Sequence, residues 1–354
     1  MMKTKHRVTI KDIAQEAGVS TGTVHRALYG KKGVSAAVRD RILALCARYG
    51  YHANLSASAL KHGPVRVAAA FPSMDGLNRF FYTSVWQGFH RCLSELSDYT
   101  IETVELPYFS GTINSQAAML SDCLRRYGRE LDALLTIGHF DTACRHVVQS
   151  YCEQGIPVFL ACDDTKECGR LACVQSDYDA TGRTVAELLS SQIPAGSSLL
   201  LSAGDVLIPS HYLTVFGFED FLHLNRPDLA LHKVNGYHNE NEVRESIRQL
   251  LMDDPQIRGA FSVSARLSVL LAEEVRQLGL MDTVRVVASD LFEDTIENLR
   301  SGVVKNIIYK DPEQQAYLAA RCMADYVLRG IRPLCEVQYV QSHIVFNSNL
   351  KFYI

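Results

Sequence analysis

Three residues near the N terminus have the types and spacing that base recognition requires. Thr21 and Gly22 open a short amphipathic segment, and Arg26 follows Gly22 by four residues, about one helical turn. Arginine and threonine side chains hydrogen-bond to base edges. In helix-turn-helix proteins, the first turn of the second helix enters the major groove of DNA. We therefore predict that Thr21, Gly22 and Arg26 face base edges.

The elements that must hold these residues are two short helices separated by a glycine. Thr9 and Asp12 have the spacing of an N-cap residue and its N3 partner, and Ser20 is placed to cap the second helix. Gly18 between them can adopt the left-handed conformation of a turn. The apolar residues that would face inward are Ile10, Ile13, Ala14, Ala17, Val24, Ala27 and Leu28. A third helix over 35–49 completes the small core of a helix-turn-helix domain.

The charge distribution separates the N-terminal part from the rest of the chain. Residues 1–63 hold 11 lysines and arginines against 3 acidic residues, a formal charge of +8, whereas the remaining residues carry −11. A basic head of this kind displaces counterions from a polyphosphate and favours DNA as a partner. The alternative, a solvated basic tail, does not account for two caps, a turn glycine and helical periodicity in one stretch.

The rest of the composition argues against a membrane protein and against a cofactor. No apolar run approaches the roughly 18–20 residues that span a bilayer, and the polar start differs from a signal peptide, so we expect a cytoplasmic protein without a membrane partner. The ten cysteines include no CxxC pair. The nearest approach to a metal cluster, His139, Asp141, Cys144 and His146, matches no standard zinc spacing, so we expect no metal and no cofactor.

From Val65 onward, apolar strands alternate with amphipathic helices, which predicts a parallel α/β fold. The alternation divides into two doubly wound lobes. The predicted domains are a helix-turn-helix domain over 1–53, a short hinge helix over 54–63 and an effector-binding domain over 64–354. Within the effector-binding domain, we assign about 64–175 and 304–330 to the first lobe, and about 176–303 and 331–354 to the second.

Enzyme chemistry lacks its usual motifs in this chain. There is no GxxxxGK[ST] phosphate loop, no GxGxxG after a strand and no GxSxG elbow. We therefore expect no catalytic residues and a protein that is not an enzyme. An α/β enzyme with a DNA-binding head is kept as an alternative, as is a regulator controlled by a phosphorylated protein partner.

Residues 8–54 read VTIKDIAQEAGVSTGTVHRALYGKKGVSAAVRDRILALCARYGYHAN, which closely resembles the DNA-binding domain of the lac and galactose repressor family. The rest resembles the family's effector domain, which has the two-lobed fold of periplasmic sugar-binding proteins. Looser signatures of that domain fall at 78–81, 88–89, 176–177, 217–218, 288–290 and 310–312.

The resemblance implies which residues contact DNA, with Leu60 of the hinge segment as an apolar wedge in the minor groove. The implied DNA-contacting residues are Thr9, Ser20, Thr21, Gly22, Thr23, His25, Arg26, Tyr51, Asn54, Ala57 and Leu60. His25 departs from the serine that is usual in the family, and Ser58 departs from a common hinge arginine. Ordinary packing against the effector domain is the alternative for Leu60.

The resemblance also implies a ligand site in the cleft between the lobes. The candidate ligand-binding residues are Phe80, Phe81, Asp141, His211, Asp290 and Lys310. The phenylalanines offer ring faces to a sugar, unless one of them packs in the core, and Asp290 accepts hydrogen bonds from adjacent hydroxyls. Where many relatives carry a glutamine this chain has Lys310, and Thr214 and Ser264-Ala-Arg266 also depart from the family pattern. We therefore consider an acidic or phosphorylated sugar as one hypothesis for the ligand.

The resemblance further implies a ligand-responsive regulator, a repressor by family default, of genes for carbohydrate uptake or catabolism. One helix-turn-helix reads a half-site, so a homodimer on pseudo-palindromic double-stranded operator DNA is expected. Movement of the lobes is expected to couple to folding of the hinge helix on DNA. The chain carries no heptad-patterned tail, so a coiled-coil tetramer is not expected.

Overall fold

The three N-terminal helices form as their caps and periodicity predict. The computed structural model describes residues 8–28, 33–49, 64–76, 79–109 and 113–354. The helices are α1 (Ile10–Glu16), α2 (Thr21–Leu28) and α3 (Ala36–Tyr49). Thr9 and Asp12 make a capping box, in which the Thr9 backbone N–H donates to Asp12 Oδ2 over 2.7 Å. The Ser20 hydroxyl accepts from the Thr23 backbone N–H over 3.1 Å. The buried core of this unit is Ile13, Ala14, Ala17, Val24, Ala27, Ile42 and Cys46.

The Thr9 cap contributes measurably to the local stability of helix α1. Replacing Thr9 by alanine removes an acceptor from the first turn of α1, and we expect it to cost about 1 kcal/mol in local stability. Hydrogen exchange of the amides of α1 in the full chain measures this as faster exchange. Thr9→Ser keeps the hydroxyl and should exchange like the wild type. Equal acceleration in both variants would show that the methyl group, not the cap, matters.

The remaining described residues form two sheets covered by helices. The first sheet has the order β11-β5-β4-β3-β1-β2 and is parallel throughout, and the second has the order β12-β10-β9-β8-β6-β7 with only β12 antiparallel. The strands of the first sheet are β1 (Val65–Pro72), β2 (Ile101–Tyr108), β3 (Ala133–Thr136), β4 (Val158–Ala161), β5 (Ala172–Ser176) and β11 (Val337–Val340). The strands of the second sheet are β6 (Ser198–Gly204), β7 (Ala230–Asn235), β8 (Ile257–Ser262), β9 (Arg285–Ser289), β10 (Val304–Tyr309) and β12 (His343–Val345).

Helices lie on both faces of each sheet, so the central strands are buried on both sides and appear in the sequence as continuous apolar runs. The helices of the first lobe are α4 (Arg79–Ser94), α5 (Ile113–Tyr127), α6 (Thr142–Glu153) and α12 (Pro312–Arg329). The helices of the second lobe are α7 (Tyr178–Gln192), α8 (Pro209–Asn225), α9 (Glu240–Asp253), α10 (Ala265–Gln277) and α11 (Glu293–Arg300). Short 3₁₀ helices lie at Gly128–Glu130 and Leu350–Phe352. The predicted fold class, an all-α head with a two-lobed parallel α/β body, is confirmed.

Helices α7 and α8 approach each other closely at a glycine. A Cβ built on Gly182 would lie 2.0 Å from the Thr214 carbonyl oxygen, so no larger residue fits there without moving the helices apart.

None of the helices in the described part of the chain is both long and apolar enough to cross a bilayer.

The assignment of the C-terminal segments to lobes needs a correction. From the sequence, about 304–330 is predicted in the first lobe and 331–354 in the second, but β10 lies in the second sheet and β11 lies in the first. The reason is α11, a helix that the sequence analysis missed. It forms the connection that returns the chain from β9 to a neighbouring parallel strand, β10. Of the segment 304–330, only α12 lies in the first lobe, where it packs against α4.

The chain crosses between the lobes at three places in the described residues, and these crossovers bind one another. They lie between β5 and α7, between β10 and α12, and between β11 and β12. The Ser176 hydroxyl donates to the Lys310 carbonyl over 3.0 Å, which joins the first crossover to the second. The hydroxyls of Thr181 and Ser342 lie 2.8 Å apart, which joins the first to the third. The three segments therefore form one hinge.

Candidate functional site

A cavity lies between the lobes beside the hinge. Five of the six ligand-binding residues predicted from the sequence line it: Phe80, Phe81, His211, Asp290 and Lys310. Its volume is about 40 Å³, room for about three water molecules at roughly 10–15 Å³ each. A sugar-sized ligand therefore needs the lobes to move apart before it can enter.

Asp141 does not line this cavity. Its carboxylate caps helix α6, where Oδ1 accepts from the backbone N–H groups of Ala143 at 2.9 Å and Cys144 at 3.1 Å. The carboxylate is therefore engaged in starting a helix. The metal cluster considered around Asp141 is also not formed, since no group of three or more metal-ligating side chains occurs among the described residues.

Lys310 and Asp290 form a buried ion pair in the wall of the cavity. Lys310 Nζ lies 2.9 Å from Asp290 Oδ2, a charge contact without hydrogen-bond geometry, and the two side chains are 7% and 2% exposed. The ammonium also donates to the Val263 carbonyl over 3.3 Å, and the Lys310 backbone N–H donates to Asp290 Oδ1 over 3.1 Å. Because its charge is already balanced, Lys310 gives little support to the hypothesis of an anionic ligand.

Arg266 is a cavity residue that the sequence analysis noted only as a departure from the family pattern. Its Nε lies 2.9 Å from Glu240 Oε1, its guanidinium carbon lies 4.5 Å from the centre of the Tyr237 ring, and one Nη2 hydrogen is donated to the Tyr237 carbonyl. These contacts hold the guanidinium plane in place. Within the described residues Nη1 has no hydrogen-bond partner, so it remains a donor for a ligand.

His211 is a neutral donor in the same wall. Its Nδ1 accepts from the Asp205 backbone N–H over 3.1 Å, which leaves the ring hydrogen on Nε2. Burial, together with the nearby Lys310 charge, lowers the pKa of His211 to about 3. The ring fits because residue 204 is a glycine, whose added Cβ would lie 2.5 Å from Nδ1. His211 therefore stays uncharged over the physiological pH range.

The two cavity phenylalanines have different surroundings. The Phe80 ring packs on Phe292 across the cleft, with centres 4.8 Å apart, and the Arg79 guanidinium lies 4.0 Å over it. Arg79 also reaches Asp294 of the second lobe at 3.9 Å. Phe80 is thus engaged in a contact between the lobes, and Phe81 is the better candidate for stacking on a ligand.

Asp163 joins the two lobes directly and was missed in the sequence. Its Oδ1 accepts from the Ser210 backbone N–H at the start of α8 over 2.6 Å. Burial raises the pKa of Asp163 from 3.8 to about 6, although the bond from Ser210 and the Lys310 charge act in the opposite direction. Other residues that line the cavity and carried no sequence signal are Tyr82, Tyr178, Ser210 and Tyr237.

The raised pKa of Asp163 predicts a pH effect on stability. The folded protein holds the Asp163 proton up to about pH 6, whereas the unfolded chain releases it near pH 3.8. Protonation of Asp163 therefore contributes to stability in full below pH 3.8, and this contribution is lost as the pH rises through 6. Asp163→Asn keeps the acceptor but does not titrate. We expect the melting temperature of the wild type, relative to this variant, to fall between pH 4 and 7. Parallel melting curves would contradict this expectation. Burial also lowers the pKa values of His139 to about 4 and of His211 to about 3, but both histidines are present in the wild type and in the variant, so their effects on stability cancel in the comparison.

On the N-terminal helices, the residues predicted to read bases are exposed. Thr21, Gly22 and Arg26 all lie at the surface, and Arg26 Nε donates to the Gly22 carbonyl over 3.2 Å. Thr9, Ser20 and Thr23 make the cap contacts described above. The predicted DNA-contacting residues outside the described part are Tyr51, Asn54, Ala57, Leu60 and the side chain of His25.

Comparison with known proteins gives two matches to family models. The model of bacterial regulatory proteins of the lacI family matches residues 9–54, and the model of the periplasmic binding protein domain matches residues 71–330. The transcriptional regulator MalR of Streptococcus pneumoniae is 29% identical over 131 residues. That alignment covers 36% of this chain and 38% of the length of MalR.

Solved structures share the fold of the two-lobed part. A LacI transcriptional regulator from Bacteroides fragilis is 16% identical with a TM-score of 0.75, covering 82% of this chain and 100% of that one. GanP, a glucose-galactose binding protein from Geobacillus stearothermophilus, is 17% identical with a TM-score of 0.71, covering 82% of this chain and 99% of that one. At these identities the likeness concerns the fold.

Proposed function

The chain belongs to the lacI family of bacterial regulatory proteins, and from this premise we propose that it is a sequence-specific DNA-binding transcription regulator that responds to a sugar or related polyol. In this proposal it acts as a homodimer in the cytoplasm and represses genes for carbohydrate uptake or catabolism. The observation that carries the proposal is the combination of two features in one chain. A polar cavity lies between the two lobes beside the hinge, and helix α2 exposes the residues predicted to contact bases.

The chemistry of the cavity supports a neutral, hydroxyl-rich ligand. The carboxylate of Asp290 accepts hydrogen bonds, whereas Arg266 and His211 donate them, and a sugar hydroxyl can do both. Phe81 supplies an aromatic ring for the C–H face of a sugar. Because Lys310 is balanced by Asp290 and Arg266 by Glu240, a ligand without charge leaves no buried charge uncompensated.

The position of the cavity supports a mechanism. Its residues come from both lobes, so a ligand contacts both and binds one arrangement of the lobes better than another. A ligand can shift the equilibrium only by this difference in affinity, typically about 1–3 kcal/mol. Movement at the hinge then changes how two reading heads are presented to the two halves of an operator.

Two experiments test the proposal. Selection from a random-sequence DNA library with the full chain should enrich a pseudo-palindromic site, and failure to enrich any sequence over bulk DNA would reject the DNA-binding part. Thermal shift with neutral sugars, sugar acids and sugar phosphates should identify a ligand that raises the melting temperature. A neutral sugar or polyol that stabilises the protein and changes its operator affinity supports the proposal. A flat panel favours control by a protein partner, and turnover of a ligand favours an enzyme.

A further inference from the structure

The two lobes contact each other beside the cleft cavity through four side chains, which we call the clasp. Arg79 and Phe80 belong to α4 of the first lobe, and Phe292 and Asp294 lie at the start of α11 in the second. The rings of Phe80 and Phe292 have their centres 4.8 Å apart. The Arg79 guanidinium carbon lies 4.0 Å from the centre of the Phe80 ring, and Arg79 Nη2 lies 3.9 Å from Asp294 Oδ2. The clasp is therefore complete without a ligand.

Aromatic packing, rather than the ion pair, stabilises the clasp. Arg79 and Asp294 have side chains that are 53% and 40% exposed, so their ion pair adds little. Phe80 is only 8% exposed, although it lines the cavity. Moving the lobes apart would return the Phe80 and Phe292 rings to water and break their contact, which costs free energy. The clasp thus favours the closed arrangement of the lobes.

A second set of contacts joins the lobes on the other face of the sheets. The Ser210 backbone N–H donates to Asp163 Oδ1 over 2.6 Å, and the Phe140 backbone N–H donates to the Leu207 carbonyl over 3.2 Å. In both bonds one partner belongs to the first lobe and the other to the second. Helices α4 and α11 pack on one face of the sheets, whereas α6 and α8, which follow Phe140 and Leu207, pack on the opposite face. The lobes are therefore held together from two sides.

We propose that the clasp keeps the cleft shut in the ligand-free protein and so controls the entry of a ligand. The inference rests on the proposed function, because it concerns the regulation of the same cleft. The shut cavity has a volume of about 40 Å³, room for about three water molecules, whereas a hexose has six carbons and six oxygens. A sugar therefore binds only to molecules whose clasp has opened, and its apparent affinity is the intrinsic affinity multiplied by the open fraction.

Two backbone amides report whether the ligand-free lobes are closed. Ser210 is the second residue of α8, where the helix itself offers no acceptor for the N–H, and the acceptor of the Phe140 N–H belongs to the other lobe. Both amides are hence protected from hydrogen exchange only while the lobes are closed. In the ligand-free full chain, we expect both amides to exchange at least about tenfold more slowly than those of an unstructured peptide. Exchange at the unstructured rate would overturn the proposal.

Variants of the clasp test its role. Phe292→Ala should speed exchange at Ser210 and Phe140 at least about tenfold, and Arg79→Gln should speed it about threefold. Because the substituted residues and the two reporter amides lie on opposite faces of the sheets, faster exchange reports opening of the lobes and not local loosening. Arg79 is exposed, so Arg79→Gln keeps the fold and tests the clasp even where Phe292→Ala is unstable. Wild-type rates in the clasp variants would overturn the proposal.

Two further amides and two further variants serve as controls. The N–H groups of Leu134 and Ser198 each donate within one lobe, over 2.9 and 2.8 Å, and should keep their wild-type rates in the clasp variants. Phe352→Ala removes an exposed ring, and Arg126→Gln removes an exposed cation of an ion pair within the first lobe. Both should leave exchange at the two reporter amides within about twofold of the wild type. Equal acceleration in these controls would refute the role of the clasp.

The clasp and the proposed function fail separately. A flat thermal-shift panel rejects the response to a sugar, whereas hydrogen exchange without any ligand decides whether the clasp holds the lobes closed.

Discussion

Replacing Lys310 by methionine, or Asp290 by asparagine, lowers the free energy of unfolding by about 3–5 kcal/mol. Each change leaves one buried charge without its partner. In Lys310→Met the Asp290 carboxylate retains one backbone N–H donor, and in Asp290→Asn the ammonium retains the Val263 carbonyl. Asparagine is chosen because residue 290 has a φ of 63°, a left-handed conformation that asparagine tolerates. Urea denaturation, followed by circular dichroism, measures the loss.

The double variant Lys310→Met/Asp290→Asn separates the charge effect from packing. With both charges removed, no uncompensated ion remains, so we expect stability to return to within about 1–2 kcal/mol of the wild type. The matched control is the surface pair of Lys233 and Glu219, whose side chains are 38% and 39% exposed. Lys233→Met should cost less than about 1 kcal/mol. Additive losses at positions 290 and 310 would contradict the buried pair.

Replacing Arg26 by alanine is expected to weaken binding to the selected operator by about 1–3 kcal/mol and to relax the base preference at one position of each half-site. The guanidinium is exposed and pairs with no carboxylate in the described residues, so it is free to make a bidentate contact with a base. Titration of the operator and of single-base substitutions, with wild type and variant at one salt concentration, measures both effects.

A control variant and the pattern of losses across operator variants test whether Arg26 contacts a base. Arg48 is also an exposed arginine near the end of α3, but it lies 3.7 Å from Glu16, and Arg48→Ala should leave base preference unchanged. An equal loss by Arg26→Ala on every operator variant, with a smaller salt dependence, would assign Arg26 to a phosphate instead of a base.

The N-terminal helices show how much local sequence can predict. The caps at Thr9 and Ser20 and the turn at Gly18 depend on residues at most four positions apart, so spacing alone locates them. The alternation of strands and helices after Val65 is likewise local, and the two-lobed fold follows from it. The missed helix α11 is eight residues long, and of its buried residues Thr295, Asn298 and Leu299 only Leu299 is apolar, so the sequence shows no apolar stripe there.

The cleft was predicted in part, since five of six candidate residues line the cavity. From the sequence, Lys310 was predicted to be a free cation. Its partner Asp290 is 20 positions away and lies next to it only because β9 and β10 pair. Asp141 was taken as a ligand residue because an aspartate at a cleft edge and an aspartate at a helix start look alike in sequence. The contact from Asp163 to Ser210 joins different lobes and has no local pattern.

The sequence by itself determined the three-helix head and the parallel α/β class, because these follow from periodicity and short spacing, and the family resemblance indicated most residues of the cleft. Only the tertiary structure decided to which lobe β10 and β11 belong, and which charges are balanced. Those properties depend on contacts between distant segments, and the free energy of a charge depends on its burial and its partners rather than on its neighbours in the chain.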